Sequence, residues 1–266
     1  MNIEKMTKMK PVTLGYVEDP ERPVLPFSMD LKRMTCQAEH SHPRGQLIYA
    51  GKGVMRVVCG SMIWAVPPTQ AVWVPPDEPH IAHFPGEVSL RNIFVDAASV
   101  KGLPARCVAL EVSPLLRELI LKSCVYGCDY RRGAPAWRLA LTLLDELREA
   151  RPAKLSLPLG SDPRLLRVQE TLLESPCDLR SLEDFAVFAG ASARTLARLF
   201  EKESGLAFGA WRRRLLLISA LERLSSGSSV SETAYALGYS SASAFIAMFR
   251  RECGISPAKM NAGYFA

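Results

Sequence analysis

The chain is 266 residues long, 48% hydrophobic and 23% charged, enough for two ordinary domains with cores of their own and unlike a disordered polymer. No apolar run reaches the ~18 residues a membrane span needs, and the opening MNIEKMTKMKP carries charge with no apolar stretch behind it, so the expectation is a cytoplasmic protein with no membrane partner. Net charge is +6, yet from residue 160 onward 13 Lys and Arg face 11 Asp and Glu; a nucleic-acid partner would have to be met by a sorted face rather than by bulk charge.

Residues 1–30 are rich in proline. From about 34 to 94 the chain breaks into short apolar stretches, 46–49, 53–59, 62–66, 71–74, 81–84 and 89–95, separated by Pro and Gly. Val54-Met-Arg-Val-Val58 and Ala71-Val-Trp-Val74 have the β-branched and aromatic content of strands, and six such stretches predict a small barrel or sandwich. His40 and His42 are two apart and share a face if extended; Gln46 follows, and His80 comes after the turn Pro75-Pro-Asp-Glu-Pro79. Trp64, Trp73 and Met55 are candidates to wall an apolar effector cavity, although barrel core is the competing use of each. His83 is expected to face outward or to sit in a turn.

After Cys107 the period changes to that of a helix. Leu115, Leu116, Leu119, Ile120 and Cys124 repeat at helical spacing, with Ser113 as N-cap and Pro114 in the first turn. Residues 137–151 form a second such segment, Leu139, Leu143, Leu144 and Leu147 on one side and Asp145, Glu146, Arg148 and Glu149 on the other. The two leucine-rich helices could serve a homodimer or pack within one monomer. The seven cysteines (36, 59, 107, 124, 128, 177 and 253) are odd in number, scattered and without a CxxC pair, which predicts reduced, packed thiols. Cys124 and Cys128 would share a face if the helix runs through 116–128. Three prolines mark 151–163 as a linker.

Two tandem segments follow, 182–202 and 231–251, each a short Ala-centred helix, a Gly, a Ser-rich start and an apolar-plus-basic helix. In the first, Gly190 supplies the turn and Ser192 the cap; Leu196, Leu199 and Phe200 face inward. That leaves Arg194, Thr195, Arg198 and Lys202 outside, the two arginines one turn apart and suited to guanine edges or phosphates. In the second, Phe245, Met248 and Phe249 are the inward set, and Ser243, Arg250 and Arg251 are the outward contacts, suited more to phosphates. Between the units lies an apolar helix over 211–224 that begins Arg212-Arg213-Arg214, three cations placed near where a backbone phosphate would pass, although such a run alone is usually a solvated face.

Leu182, Ala186, Ser192, Leu196, Leu199-Phe200, Gly205-Leu206, Ala234, Leu237-Gly238-Tyr239, Ser243, Phe245, Phe249-Arg250 and Gly254-Ile255-Ser256-Pro257 together resemble the DNA-binding domain of the AraC/XylS family of bacterial transcription regulators. The resemblance implies two helix-turn-helix motifs braced by a rigid helix and entering successive major grooves, roughly one turn (~34 Å) apart. The histidines resemble the two half-motifs of the cupin barrel, H-x-H-x3-E and P-x-G-x2-H, with Gln46 in place of the carboxylate and Asp77 in place of the Gly. His40, His42 and His80 would then converge, with Trp64 and Trp73, on a small-molecule effector; the three imidazoles could alternatively hold a divalent transition metal, the one cofactor in view.

The expected architecture is an α+β multidomain chain: a cupin-like β-barrel sensor over 1–112, a helical linker and dimerisation segment over 113–159, and an all-α double helix-turn-helix domain over 160–266. The expected function is a sequence-specific, effector-controlled transcriptional regulator with no enzymatic activity, whose partners are promoter DNA, a small effector, a second copy of itself and RNA polymerase. A metal-dependent cupin enzyme with an accessory helical domain is the alternative. An architectural DNA protein is disfavoured by the weak charge of the C-terminal half.

Overall fold

A computed structural model of the chain describes residues 7–32, 35–153 and 155–262. It divides into two compact units, one built on Met6–Gly60 and Trp64–Lys154 and the other on Leu155–Ala266.

Among the described residues of the first unit, ten strands form two sheets. They are β1 (Thr7–Met9), β2 (Val24–Leu31), β3 (Thr35–His40), β4 (Gly45–Lys52), β5 (Met55–Cys59), β6 (Met62–Val66), β7 (Gln70–Val74), β8 (His80–Phe84), β9 (Val88–Val95) and β10 (Val108–Glu111). One sheet runs β1-β3-β8-β5-β6 and the other β10-β7-β4-β9-β2. The second sheet is buried on both faces, which is why Gly45–Lys52 reads as an almost unbroken buried run instead of alternating. Its Leu47, Tyr49, Trp73, Ile93 and Val95 pack against two helices, α1 (Pro114–Tyr126) and α2 (Pro135–Glu149), through Leu116, Ile120, Ala140, Leu143, Leu144 and Leu147. Each fully buried Leu or Ile in that layer contributes roughly 1.5–3 kcal/mol. Residues Gln46 and Phe94, one step along the strands from Leu47 and Ile93, point the other way, toward the first sheet.

Ser113 caps α1, its hydroxyl accepting from Leu116 N–H at 3.0 Å, and Pro114 occupies the first turn. The helix does not run to Cys128. Gly127, at φ 72°, ends it after Tyr126, so Cys124 and Cys128 do not share a helical face; their thiols turn to the Phe27 and Pro26 carbonyls. Burial pushes the Cys124 thiol up to about 11 and raises Cys128 too, so neither is a ready thiolate. The expectation that all cysteines are unpaired also fails, because Cys59 and Cys107, 48 residues apart, form a disulfide.

Among its described residues the second unit carries an extended segment, β11 (Ser156–Pro158), and seven helices: α3 (Pro163–Glu174), α4 (Leu182–Ala189), α5 (Ala193–Leu199), α6 (Phe208–Ser225), α7 (Val230–Ala236), α8 (Ala242–Cys253) and α9 (Pro257–Met260). A π-type turn, Phe200–Ser204, prolongs α5. The stretch expected to be a linker is built in from Leu155 onward. The Pro158 carbonyl accepts from the Trp211 indole at 2.7 Å and from the Gln169 amide at 3.3 Å, while the Gln169 oxygen accepts from Gly160 N–H at 2.8 Å. Phe200 touches both Phe208 and Trp211 edge-on, and with Phe185, Phe245 and Phe249 it is fully buried.

Candidate effector and nucleic-acid sites

In the first unit His40, His42 and His80 come together, their candidate ligand atoms within 4.8 Å of one another. A register shift in the β3–β8 pairing between Gln37 and His40 sets His40 opposite His80, the kind of bulge that re-aims a side chain. The turn before His80 is tied back by Asp77 N–H, which donates to the His42 carbonyl at 2.9 Å. Asp77 itself stands at φ 62°, the left-handed conformation for which a glycine is the usual choice and which Asp tolerates better than most residues. Gly15 packs directly on the His42 ring.

Each imidazole is oriented by a backbone carbonyl. His40 Nδ1 lies 2.9 Å from Ala38 O, His42 Nδ1 lies 2.6 Å from Arg44 O, and His80 Nδ1 lies 3.0 Å from Glu78 O. A carbonyl only accepts, so Nδ1 carries the proton in all three rings. Burial drives His80 down to about 4 and lowers His40 as well, which keeps both rings neutral at pH 7. His42 Nε2 and His80 Nε2 lie 2.9 Å and 3.1 Å from the Gln46 side-chain oxygen. For neutral rings those nitrogens are lone pairs, and a half-turn of the amide places its two N–H donors on them. The cluster therefore presents nitrogen lone pairs, with an amide between two of them. It can accept hydrogen bonds from a polar ligand or close on a borderline-soft cation.

Several side chains are placed differently from the sequence expectation. Trp73 does not join the histidines: it lies on the other face of β7, in the layer against α1 and α2, and its indole donates to Pro104 O at 2.8 Å. Trp64 and Met55 are buried, and Trp64 makes no ring contact with the histidines among the described residues. His83 is buried rather than outward-facing, its Nδ1 without a hydrogen-bond partner and its proton affinity lowered by burial and by Arg56. The aromatic neighbours of His42 are instead Phe94, at 5.3 Å between centroids, and Tyr16, at 6.0 Å. Arg44, 2% exposed, donates to the carbonyls of Val17, Asp19 and Arg22 and so ties the N-terminal arm beside the site. An arginine beside the apolar run of β4 was the one signal available for it.

In the second unit the first motif has the expected local chemistry. Ser181 and Asp184 form a capping box on α4, Gly190 turns at φ 69°, and the Ser192 hydroxyl accepts from Thr195 N–H at 3.1 Å. Arg194, Arg198 and Lys202 are exposed and have no ion-pair partner among the described residues. Thr195 is less free, because its hydroxyl lies 2.9 Å from that of Ser192. In the second motif Ser229 and Glu232 cap α7, Gly238 turns at φ 81°, and Ser241 caps α8. Ser243, Arg250 and Arg251 are exposed, with Arg251 3.3 Å from Glu252. The arginine triplet of α6 is split by its packing: Arg212 donates to the Asp178 and Arg180 carbonyls and Arg214 to Ser156 O, leaving Arg213 as its exposed member.

A sheet unit with a largely buried histidine cluster and a helical unit with two capped helix-turn-helix motifs define a ligand-responsive DNA-binding regulator. Family comparison agrees: the model of an AraC-like ligand binding domain matches residues 34–160, and that of a helix-turn-helix domain matches residues 185–262. The chain is 37% identical over 220 residues, 83% of its length and 80% of the relative's, to the HTH-type transcriptional regulator NimR of Escherichia coli K12. It is 35% identical over 106 residues, 40% of its length and 32% of the relative's, to the HTH-type transcriptional regulator RipA of Corynebacterium glutamicum. A structure of ToxT from Vibrio cholerae aligns over 89% of this chain and 97% of its own at 8% identity, with a TM-score of 0.38. The chain belongs to the AraC family of transcriptional regulators, with a helix-turn-helix DNA-binding domain and a ligand-binding domain.

Proposed function

We propose that this regulator reads its operator chiefly with α5 and anchors on phosphates with α8. The observation that supports this division is the outer row of α5, where Arg194 and Arg198 stand one turn apart, exposed and uncommitted to any carboxylate among the described residues. Bidentate contact with guanine edges needs such free guanidinium groups. On α8 the exposed Ser243 hydroxyl, Arg250 and Arg251 suit backbone contact. Thr195, already engaged with Ser192, adds shape rather than a free donor, and Lys202 adds a phosphate charge.

The small effector occupies the histidine pocket, with His40, His42 and His80 as acceptors and Gln46 and Phe94 as neighbours. Its binding favours one arrangement of the protein over another and so changes promoter occupancy. A second use of the pocket, a divalent transition metal held by the same three histidines, is favoured by the carbonyl that orients each Nδ1, the outer-sphere pattern of metal-bound imidazole. The metal would supply a fixed positive charge to an anionic effector, while the histidines alone set its place. Leu115, Val125 and Leu141, exposed on α1 and α2, form the surface for a homodimer, which would double the contacted half-sites and raise avidity. Acting in the cytoplasm beside promoters, the dimer has RNA polymerase as its neighbour, and it performs no catalysis of its own.

Capturing genomic fragments on the purified full chain tests the reading. A shared sequence element whose two halves sit about one DNA turn apart supports it, and retention without sequence preference refutes it.

A further inference from the structure

Beyond its two recognised binding functions, the first unit carries a second cluster of reactive groups: Cys59, Cys107 and Glu78, with one ligand atom of each within 4.8 Å of the others. Cys59 ends β5 and is 6% exposed; Cys107 precedes β10 and is half-buried; the two are joined as a disulfide. Cys59 Sγ lies 3.4 Å from the Glu78 carboxylate. These strands belong to different sheets, so the bond ties the two sheets together at one end. The other cysteines offer no such arrangement: Cys36 is buried, burial pushes Cys124 to about 11 and Cys253 to about 12, and Cys177 stands exposed on the other unit.

We propose that Cys59, Cys107 and Glu78 form a reversible thiol–disulfide site whose co-reactant is a small disulfide of the glutathione class. A DNA-bound regulator works where glutathione and thioredoxin keep thiols reduced, so a disulfide in such a protein cycles instead of persisting. Cys107, the less buried of the two, is the sulfur an external disulfide can reach. Its thiolate attacks glutathione disulfide, forming a mixed disulfide and releasing one glutathione thiolate. Cys59 then attacks the Cys107 sulfur; its proton passes to the Glu78 carboxylate beside it, the second glutathione leaves as thiolate, and the Cys59–Cys107 bond closes. Two protein thiols and one glutathione disulfide become one protein disulfide and two glutathiones, and an external dithiol runs the exchange backwards. Because the Glu78 carbonyl also orients His80, closing the bond fixes the turn that carries one wall of the histidine pocket.

The test uses the full-length protein in a chelator, equilibrated with graded ratios of reduced to oxidised glutathione, quenched in acid, labelled with a maleimide and digested for mass spectrometry. Two labels should vanish together as the ratio falls, a cross-linked peptide containing 59 and 107 should appear, and dithiothreitol should restore both labels without unfolding. Cys107→Ser, at the less buried position and sparing the buried sulfur, should abolish the transition. In a quenched time course after glutathione disulfide is added, Glu78→Gln should slow closure about a hundredfold, the lower end of what a positioned base contributes. The proposal is overturned if both thiols stay labelled even in excess glutathione disulfide, if the bond resists dithiothreitol in the folded protein, or if another cysteine pairs in their place.

Discussion

The Cα of Gly15 rests against the imidazole of His42 so closely that any Cβ at position 15 would lie 2.6 Å from the ring's Cγ. The ring cannot step aside cheaply, because Arg44 O and Gln46 hold both of its nitrogens. Gly15→Ala should therefore cost about 1–3 kcal/mol, the range for overpacking, and should weaken effector or metal binding more than DNA binding by the full chain. Calorimetry and thermal melting measure both; an unchanged melt would show that the arm gives way freely.

Restoring a carboxylate at position 46 should convert the pocket. Gln46→Glu places a negative charge beside lone pairs that now see only an amide, and zinc or nickel affinity should rise by about tenfold or more, or ~1.4 kcal/mol. Isothermal titration decides this. Equal affinities would mean that the metal is not held at the histidines.

In the metal-free protein, stability should fall in acid. His80 titrates at about 4 when folded against an ordinary 6.5, so between those values the unfolded chain holds more protons. Its contribution is whole above about 6.5 and is lost as pH falls toward about 4, to a total of about 3 kcal/mol. Burial of His40 and His83 works in the same direction. Urea unfolding from neutral pH to about pH 4.5 should show the slope, and His80→Gln should flatten it; an identical slope in the variant would assign the effect elsewhere.

Arg198→Ala should lower affinity for a cognate operator by about 1–3 kcal/mol and relax preference at one base position. Arg251→Ala should weaken all duplexes alike and reduce the salt slope by about one. Fluorescence anisotropy on cognate and scrambled duplexes separates the two. Uniform loss for Arg198 would make it another phosphate contact.

Gln169, fully buried, bridges Pro158 and Gly160 through both ends of its amide. Gln169→Leu leaves the Gly160 N–H unsatisfied and should cost about 1–3 kcal/mol, read as a lower urea midpoint. A neutral substitution would show that the segment after Leu155 is a passive tether.

Where local chemistry decides the structure, the residues could be read in advance. Ser113-Pro114, Gly190 with Ser192, and the inward sets Leu196/Leu199/Phe200 and Phe245/Met248/Phe249 each act through neighbours within a turn or two. The histidine cluster was visible because three imidazoles and a turn proline stand at telling intervals. Errors arose where tertiary packing reverses a local expectation. His83 reads from the sequence as outward-facing or in a turn, yet it lies within β8, where nearly every side chain is covered. Trp73 looks like a pocket wall, but strand parity pairs it with Leu47 on the face away from Gln46, and Gly45 admits its ring only by lacking a Cβ. Arg212 and Arg214 look like free cations until the carbonyls they reach are known. Partners 48 residues apart, as with Cys59 and Cys107, leave no periodic trace.

The Glu203 carboxylate, one turn beyond α5, accepts from Ser161 N–H at 2.6 Å, Asp162 N–H at 3.0 Å and the Ser161 hydroxyl at 3.1 Å. That fastening holds the helix from its far end, while Leu196 and Leu199 hold it from beneath. Nothing in either hold involves the side chains at 194 or 198. Under the proposed division of labour between α5 and α8, those two letters can be exchanged, and operator preference with them, while the scaffold stays intact.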